Sequence, residues 1–175
     1  MKLLIASDIH GSAEYCRQLM EAIDRENPTK VLLLGDLLYH GPRNDLPLEY
    51  APKEVAAMLN SIKEKLLCVR GNCDTEVDQM MLEFPVLSDS ALIFWEGMTI
   101  CCAHGHHDFP PMQNGDTALS GHTHIPADYV KDGVRYLNPG SVSIPKEGSW
   151  HGYMVLEGQN FVWKNLCGEV QIVKN

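Results

Sequence analysis

Five short segments of the chain each carry side chains that can ligate a hard or borderline metal ion. They are Asp8-Ile9-His10, Gly35-Asp36, Gly71-Asn72-Cys73-Asp74, His104-Gly105-His106 and Gly121-His122-Thr123-His124. Two carboxylates, an amide and at least four imidazoles exceed what one mononuclear site uses. They are enough for a pair of metals that share a bridging carboxylate. Singly the segments say little, because Asp-x-His is common on surfaces and Gly-Asp often marks a turn. His122-x-His124 is more specific, and the set of five is specific because every member is of ligand type. With no thiolate required, the donors suit manganese, iron, zinc or nickel better than a structural zinc site. Two such ions about 3.5–4 Å apart can clamp a phosphoryl group and generate a hydroxide between them. The reaction class expected is hydrolysis of a phosphate ester.

Something must bring the segments together. Lys2 to Ser7, Val31 to Leu34 and Leu66 to Val69 read as short buried strands. Between them, Ser12 to Glu26 and the stretch after Pro52 (Val55, Met58, Leu59, Ile62) carry apolar residues at helical spacing. That alternation implies parallel pairing with right-handed crossovers. After Pro85 the pattern becomes mostly antiparallel, with hairpin signals at Glu96-Gly97 and Lys131-Asp132-Gly133. Three further strands, Tyr153 to Leu156, Phe161 to Leu166 and Val170 to Val173, are separated by Gly158 and Gly168. Asp8, Asp36, Asn72 and His104 each follow a predicted strand, so their loops are expected to converge at one sheet edge. On an extended segment, Asp8 with His10, and His122 with His124, would each point two donors one way. No linker divides the 175 residues, and one domain spanning 1–175, with two packed sheets and helices outside, is the simplest arrangement.

Bulk properties exclude several classes. No stretch approaches the roughly 20 apolar residues of a membrane span. Leu3 to Ala6 is too short for a signal-peptide core, so a cytoplasmic location is expected. The net charge of −9, from 14 basic against 23 acidic residues, argues against binding long nucleic acids. A small anionic substrate stays open, because bound cations reverse the local field. The six cysteines (Cys16, Cys68, Cys73, Cys101, Cys102, Cys167) read as reduced thiols, and only Cys73 lies inside a motif.

In order and spacing the five segments resemble the signature blocks of the calcineurin-like metallophosphoesterases. His40 to Asn44, Val69 to Asp74, Glu76 to Met80 and Asn138 to Lys146 further resemble its small bacterial phosphodiesterases of the YfcE type. The likeness runs to about Lys146, with the later strands fitting only in pattern. It implies an α/β (α+β) metallophosphoesterase fold, a sandwich of two mixed β-sheets flanked by helices. It also implies one metal held by Asp8, His10 and His124, and another held by Asn72, His104 and His122. Asp36 would bridge them together with a nucleophilic water or hydroxide. Two divalent transition-metal ions are expected, manganese first, with zinc, iron or nickel as alternatives.

Cys73 departs from the family pattern, since many phosphomonoesterases of the superfamily carry histidine there. A thiol is a poorer proton donor at neutral pH and carries no positive charge. That favours monoanionic diesters with good leaving groups over dianionic monoesters. The bland alternative is that Cys73 fills a small space and His106 takes over the function. Asn72, Cys73 and His106 are accordingly the candidate catalytic residues. Arg43 is the candidate substrate-binding residue, able to grip a phosphate bidentately. Its alternative role is pairing with Asp45 or a neighbouring subunit. His107 reads as a loop histidine, His40 and His151 as solvated or core polar residues, and Asn138 to Ser141 as a supporting turn. The expected function is hydrolysis of a small phosphodiester. The alternatives are a phosphomonoesterase or pyrophosphatase using the same centre, and a non-catalytic scaffold of the same fold. A homodimer or homotetramer is expected from the resemblance.

Overall fold

The computed structural model describes residues 1–173. Eleven strands form two sheets. The first has six strands: β1 (Lys2–Ala6), β2 (Lys30–Leu33), β3 (Leu66–Cys68), β9 (Gly152–Glu157), β10 (Asn160–Asn165) and β11 (Val170–Gln171). Their order across the sheet is β11-β10-β9-β1-β2-β3, with β1, β2 and β3 parallel and the C-terminal strands antiparallel. The second sheet has five: β4 (Ser90–Trp95), β5 (Met98–Ala103), β6 (Thr117–Leu119), β7 (Ala127–Lys131) and β8 (Val134–Asn138), in the order β4-β5-β6-β8-β7.

The reading of the second half as mostly antiparallel holds for its hairpins and misses β6. This three-residue strand pairs parallel with both β5 and β8. Each sheet therefore contains three parallel strands, β1–β2–β3 and β5–β6–β8. Their carboxyl ends feed the loops that carry the donor residues.

Alternation along the strands builds two cores. Leu4 and Ala6 of β1, with Val31 and Leu33 of β2, face a layer made by α1 (Ala13–Glu26) and α2 (Pro52–Ser61). Helix α1 is capped by the Ser12 hydroxyl, which accepts from the Tyr15 N–H, and ends on Asn27 in the left-handed region. Leu3 and Ile5 point the other way, into the inter-sheet core with Leu32, Ile100, Leu119, Met154 and Trp163. The outer face of the second sheet shows Leu92 and Phe94 to solvent. A third helix, α3 (Glu76–Met81), follows the Gly71 to Asp74 loop and starts with a capping box from Thr75 and Asp78. All six cysteines are free. Among the described residues no helix is long and apolar enough to cross a membrane.

Candidate metal centre

The strand ladder continues into the loops and fixes their register. Asp8 N–H donates to Gly35 O, His10 N–H to Asp36 O and Gly11 N–H to Leu37 O, at 2.9–3.1 Å. The loop after β6 is tied to that after β5 by Gly121 N–H donating to His104 O (2.9 Å). Asp8, His10, Asp36, His104, His122 and His124 thus meet beyond the carboxyl ends of both sheets.

The pairs two apart do not point together through extended backbone, as expected from the sequence. Asp8 (φ 59°), His10 (φ 49°), Asp36 (φ 56°), His122 (φ 65°) and His124 (φ 62°) all lie in the left-handed region. For a side chain with a Cβ that region costs about 1–2 kcal/mol per residue. Clustered on the donors, it shows a backbone bent to aim side chains at one point.

Each carboxylate is held by one oxygen and offers the other. Asp8 Oδ2 accepts from the His122 N–H (3.1 Å), while its buried Oδ1 has no hydrogen-bond partner. Asp36 Oδ1 accepts from the Cys73 N–H (2.8 Å), leaving Oδ2 facing His104 Nε2 at 3.3 Å and His10 Nε2 at 3.7 Å. Asp8 Oδ1 faces His124 Nε2 at 3.2 Å, His10 Nε2 at 3.5 Å and His104 Nε2 at 4.0 Å.

The imidazoles are arranged by the same logic. His10 Nδ1 lies 2.8 Å from Tyr39 O, His104 Nδ1 2.6 Å from Leu34 O and His124 Nδ1 2.7 Å from Ile144 O. A carbonyl only accepts, so each Nδ1 carries a proton, and Nε2 is the nitrogen left to ligate a metal once any proton on it is released. His10 Nε2 and His124 Nε2 then face each other at 3.2 Å, and His104 Nε2 faces Asn72 Oδ1 at 3.2 Å. Imidazole nitrogens this close, around two carboxylates, call for a positive charge between them, a proton or in its place a divalent ion. The donor set therefore fits divalent metal. Asp8 with His10 and His124, and Asp8 with Asp36 and His104, form two groups whose ligand atoms converge within 4.8 Å.

Protonation follows the same field. Burial opposes ionisation of Asp8, and the close His10 and His124 imidazoles with the charge of His104 outweigh it, so its carboxyl stays well below the usual range. Asp36 is likewise held down by His104 against burial. Burial would lower His104, but its bond to Asp36 and the charge of Asp8 raise it to about 9. His122 is pushed down by burial and by His104.

The remaining candidates divide. Arg43 lines the open cavity of about 400 Å³ over the centre, with Gly41, Asn72, Cys73 and His122. It makes no ion pair with Asp45. Cys73 is buried, receives a bond from Asn72 Nδ2 (3.2 Å), and sits under Gly41 of the Arg43 loop. Its group with His10 and Asp36 also converges within 4.8 Å. His106 stacks obliquely beside His104 and His122, centroids 5.4 and 6.2 Å away, and its buried Nδ1 has no partner. His40 bonds Asn44, and His151 stacks on Tyr15 at 3.9 Å, both away from the donors.

Two elements of the centre were not legible in the sequence. Asp74 accepts from the N–H groups of Asp36, Leu37 and Gly71 at 2.8–2.9 Å, so it latches the β2 and β3 loops rather than facing the cavity. Only an aspartate three residues after a glycine hinted at this. Lys146 lines the cavity and has no local signal in a strand-connecting loop. That loop does support the site as expected. Ser141 and Ser143 hydroxyls donate to Asp8 O (2.9 and 3.1 Å), and Asn138 Nδ2 donates to Gly121 O (2.7 Å).

Residues 1–160 match the calcineurin-like phosphoesterase superfamily domain. Over 161 residues the chain is 42% identical to Phosphodiesterase YfcE of Escherichia coli strain K12, covering 90% of this chain and 88% of that one. It is 26% identical over 171 residues to the Probable metallophosphoesterase YsnB of Bacillus subtilis strain 168, covering 91% and 86%. The solved structure of YfcE, described as a phosphoesterase from E. coli, superposes with a TM-score of 0.93 at 38% identity, covering 97% and 96% of the two chains.

Proposed function

The chain belongs to the calcineurin-like phosphoesterase superfamily, and from that premise we propose that it is a metal-dependent phosphodiesterase acting on a small phosphodiester. The single observation that carries the reading is the convergence of imidazole nitrogens, His10 Nε2 to His124 Nε2 at 3.2 Å, on two carboxylates that each turn one oxygen toward them. Asp8, His10 and His124 would hold one divalent ion, and Asn72, His104 and His122 a second, with Asp36 shared between them. Manganese is the ion proposed first. Bound metal supplies Lewis-acid neutralisation of the phosphate and activation of water.

The chain's own residues do the rest. The Nδ1 bonds to Tyr39 O, Leu34 O and Ile144 O fix ring tautomer and angle before any ligand arrives. Arg43 stands over the cavity to receive non-bridging oxygens and set the diester's orientation. Cys73 is a neutral thiol, its pKa pushed up to about 12 by burial and by Asp36, so no imidazolium meets the leaving group at that position. This favours diesters with stable leaving groups over monoesters. His106, its pKa lowered by burial and by His107, would meet a leaving group as a neutral ring from the β5 side.

The test is hydrolysis of an activated aryl phosphodiester with defined metals, beside Asp36→Ala. Loss of the shared carboxylate is expected to lower kcat/KM by at least about 10³-fold, the several kcal/mol a Lewis-acid pair supplies. Activity surviving in Asp36→Ala would sink the shared-carboxylate arrangement.

A further inference from the structure

Lys146 stands between two hollows. It forms part of the wall of the cavity over the donor cluster, as do Gly41 to Asn44. It also borders a second hollow of about 400 Å³ lined by Pro126, Glu147, Trp150 and Ile172. Its backbone is fixed on both sides. Lys146 N–H donates to His124 O (3.2 Å), and Lys146 O accepts from the Ser149 N–H (3.0 Å) and hydroxyl (2.6 Å). Beyond it Glu147 (φ 53°) and Gly148 (φ 70°) turn the chain back. The lysine is thus carried by the same segment whose Ile144 carbonyl orients His124.

Its ammonium is not used by the fold. Among the described residues neither Lys146 nor Arg43 has a carboxylate within ion-pair distance or a side-chain hydrogen bond. Lys53, Lys65 and Lys131 lack such partners too, but Arg43 and Lys146 are the two basic side chains that line this cavity. The one carboxylate in the cavity wall is Asp36, which the metal centre claims. In a chain of net charge −9, the metal-side cavity carries the two uncommitted cations Arg43 and Lys146, and Lys146 lines the second hollow as well, where Glu147 is the one carboxylate and would turn an anion toward the lysine. A lysine is a point charge on a flexible stem and recognises an anion without demanding its geometry.

We infer that Lys146 is a specificity-determining residue, receiving a second anionic group on one arm of the substrate. The preferred substrates are then phosphodiesters that carry a further phosphate on the arm crossing into the Trp150 hollow. The inference rests on the phosphodiesterase reading above. Asp8, His10, Asp36, His104 and His124, with metal bound, would receive the scissile phosphate, whose single charge a diester with two neutral arms supplies alone. Lys146 meets only what hangs beyond it.

The experiment compares the p-nitrophenyl ester of thymidine 5′-phosphate with the same ester bearing an additional 3′-phosphate, using the manganese-loaded full chain. Wild type is expected to show the higher kcat/KM on the 3′-phosphorylated ester, mainly through KM. In Lys146→Ala the ratio between the two esters should fall by up to about fivefold, the scale of one partly solvated ion pair. Lys146→Glu should reverse the preference. Lys131→Ala, an exposed lysine on β7, changes net charge equally and should leave the ratio unchanged. Absence of a wild-type preference would overturn the inference, as would equal losses on both esters in Lys146→Ala, or an equal change in Lys131→Ala. No turnover of either ester by wild type would overturn the phosphodiesterase reading itself, and this inference with it.

Discussion

Cys73 shows how closely a single residue is bound to its neighbours in this centre. Its N–H holds Asp36 Oδ1, its sulfur takes a bond from the Asn72 amide, and a Cβ on Gly41 would lie 3.1 Å from its Sγ. A histidine there would bring a titratable ring to the leaving-group side, but it must push aside the loop that carries Arg43. Cys73→His is therefore expected to raise monoester over diester turnover, by about tenfold within the usual range for a positioned proton donor. The gain should appear as a ratio of kcat/KM values, with some loss of diester affinity as Arg43 moves. An unchanged ratio would mean that Cys73 is only a filler. Ligand types at this scale were legible in the sequence, because carboxylate, amide and imidazole are visible as letters. Tautomers were not. They depend on carbonyls of Tyr39, Leu34 and Ile144, each 20 or more residues from the ring it fixes.

At the scale of elements, the first strands and helices follow from buried runs and helical spacing, and β1, α1 and β2 lie within a residue of their expected bounds. The short β6 escaped because Thr117-Ala118-Leu119 has no periodicity to read and is a strand only through its two parallel neighbours. The left-handed donors escaped for a related reason: nothing in Asp-x-His announces a φ that tertiary hydrogen bonds impose. Glycines beside the donors record how tightly the loops meet. A Cβ on Gly71 would collide with the Oδ1 and backbone nitrogen of Asp36, and one on Gly121 with the Ser7 hydroxyl and Asp8 Oδ2. Both obstacles are backbone or buried side chain, so neither can swing away. Gly71→Ala should displace Asp36 while sparing both cores. Manganese affinity is expected to fall by about 10–100-fold, as when a supporting group is lost, with little change in the far-ultraviolet circular dichroism. Metal titration followed by activity separates the two; an unaltered affinity would show that the β3 loop can retreat.

Over the whole molecule, the first sheet is closed by the last strands of the chain, since β9 pairs with β1 and β10 lies beyond it. Glu26, in the last turn of α1, ties that closure together. Its Oε1 accepts from Lys164 Nζ of β10 (2.6 Å) and the Tyr153 hydroxyl of β9 (3.0 Å), and its Oε2 pairs with Lys2 Nζ of β1 at 3.3 Å. A carboxylate at a helix C-terminus opposes the helix dipole, so these three donors must offset that cost. Burial also opposes ionisation of Glu26. The bonds from Lys164, Tyr153 and Lys2 outweigh it and hold the carboxyl below the usual glutamate range. With its pKa lower in the folded than in the unfolded chain, the unfolded chain takes up the proton first, and stability falls as pH falls. The contribution is complete above the unfolded value, near pH 4.5, and is lost as pH drops through the lowered folded value. Glu26→Gln keeps the shape and removes the charge, and at pH 7 it should cost about 1–3 kcal/mol, the worth of hydrogen bonds to a charged group. Urea unfolding of both proteins at about pH 7, 5 and 3 should show that gap narrowing only at the most acid point. A gap that persists undiminished there would assign the loss to packing in place of charge.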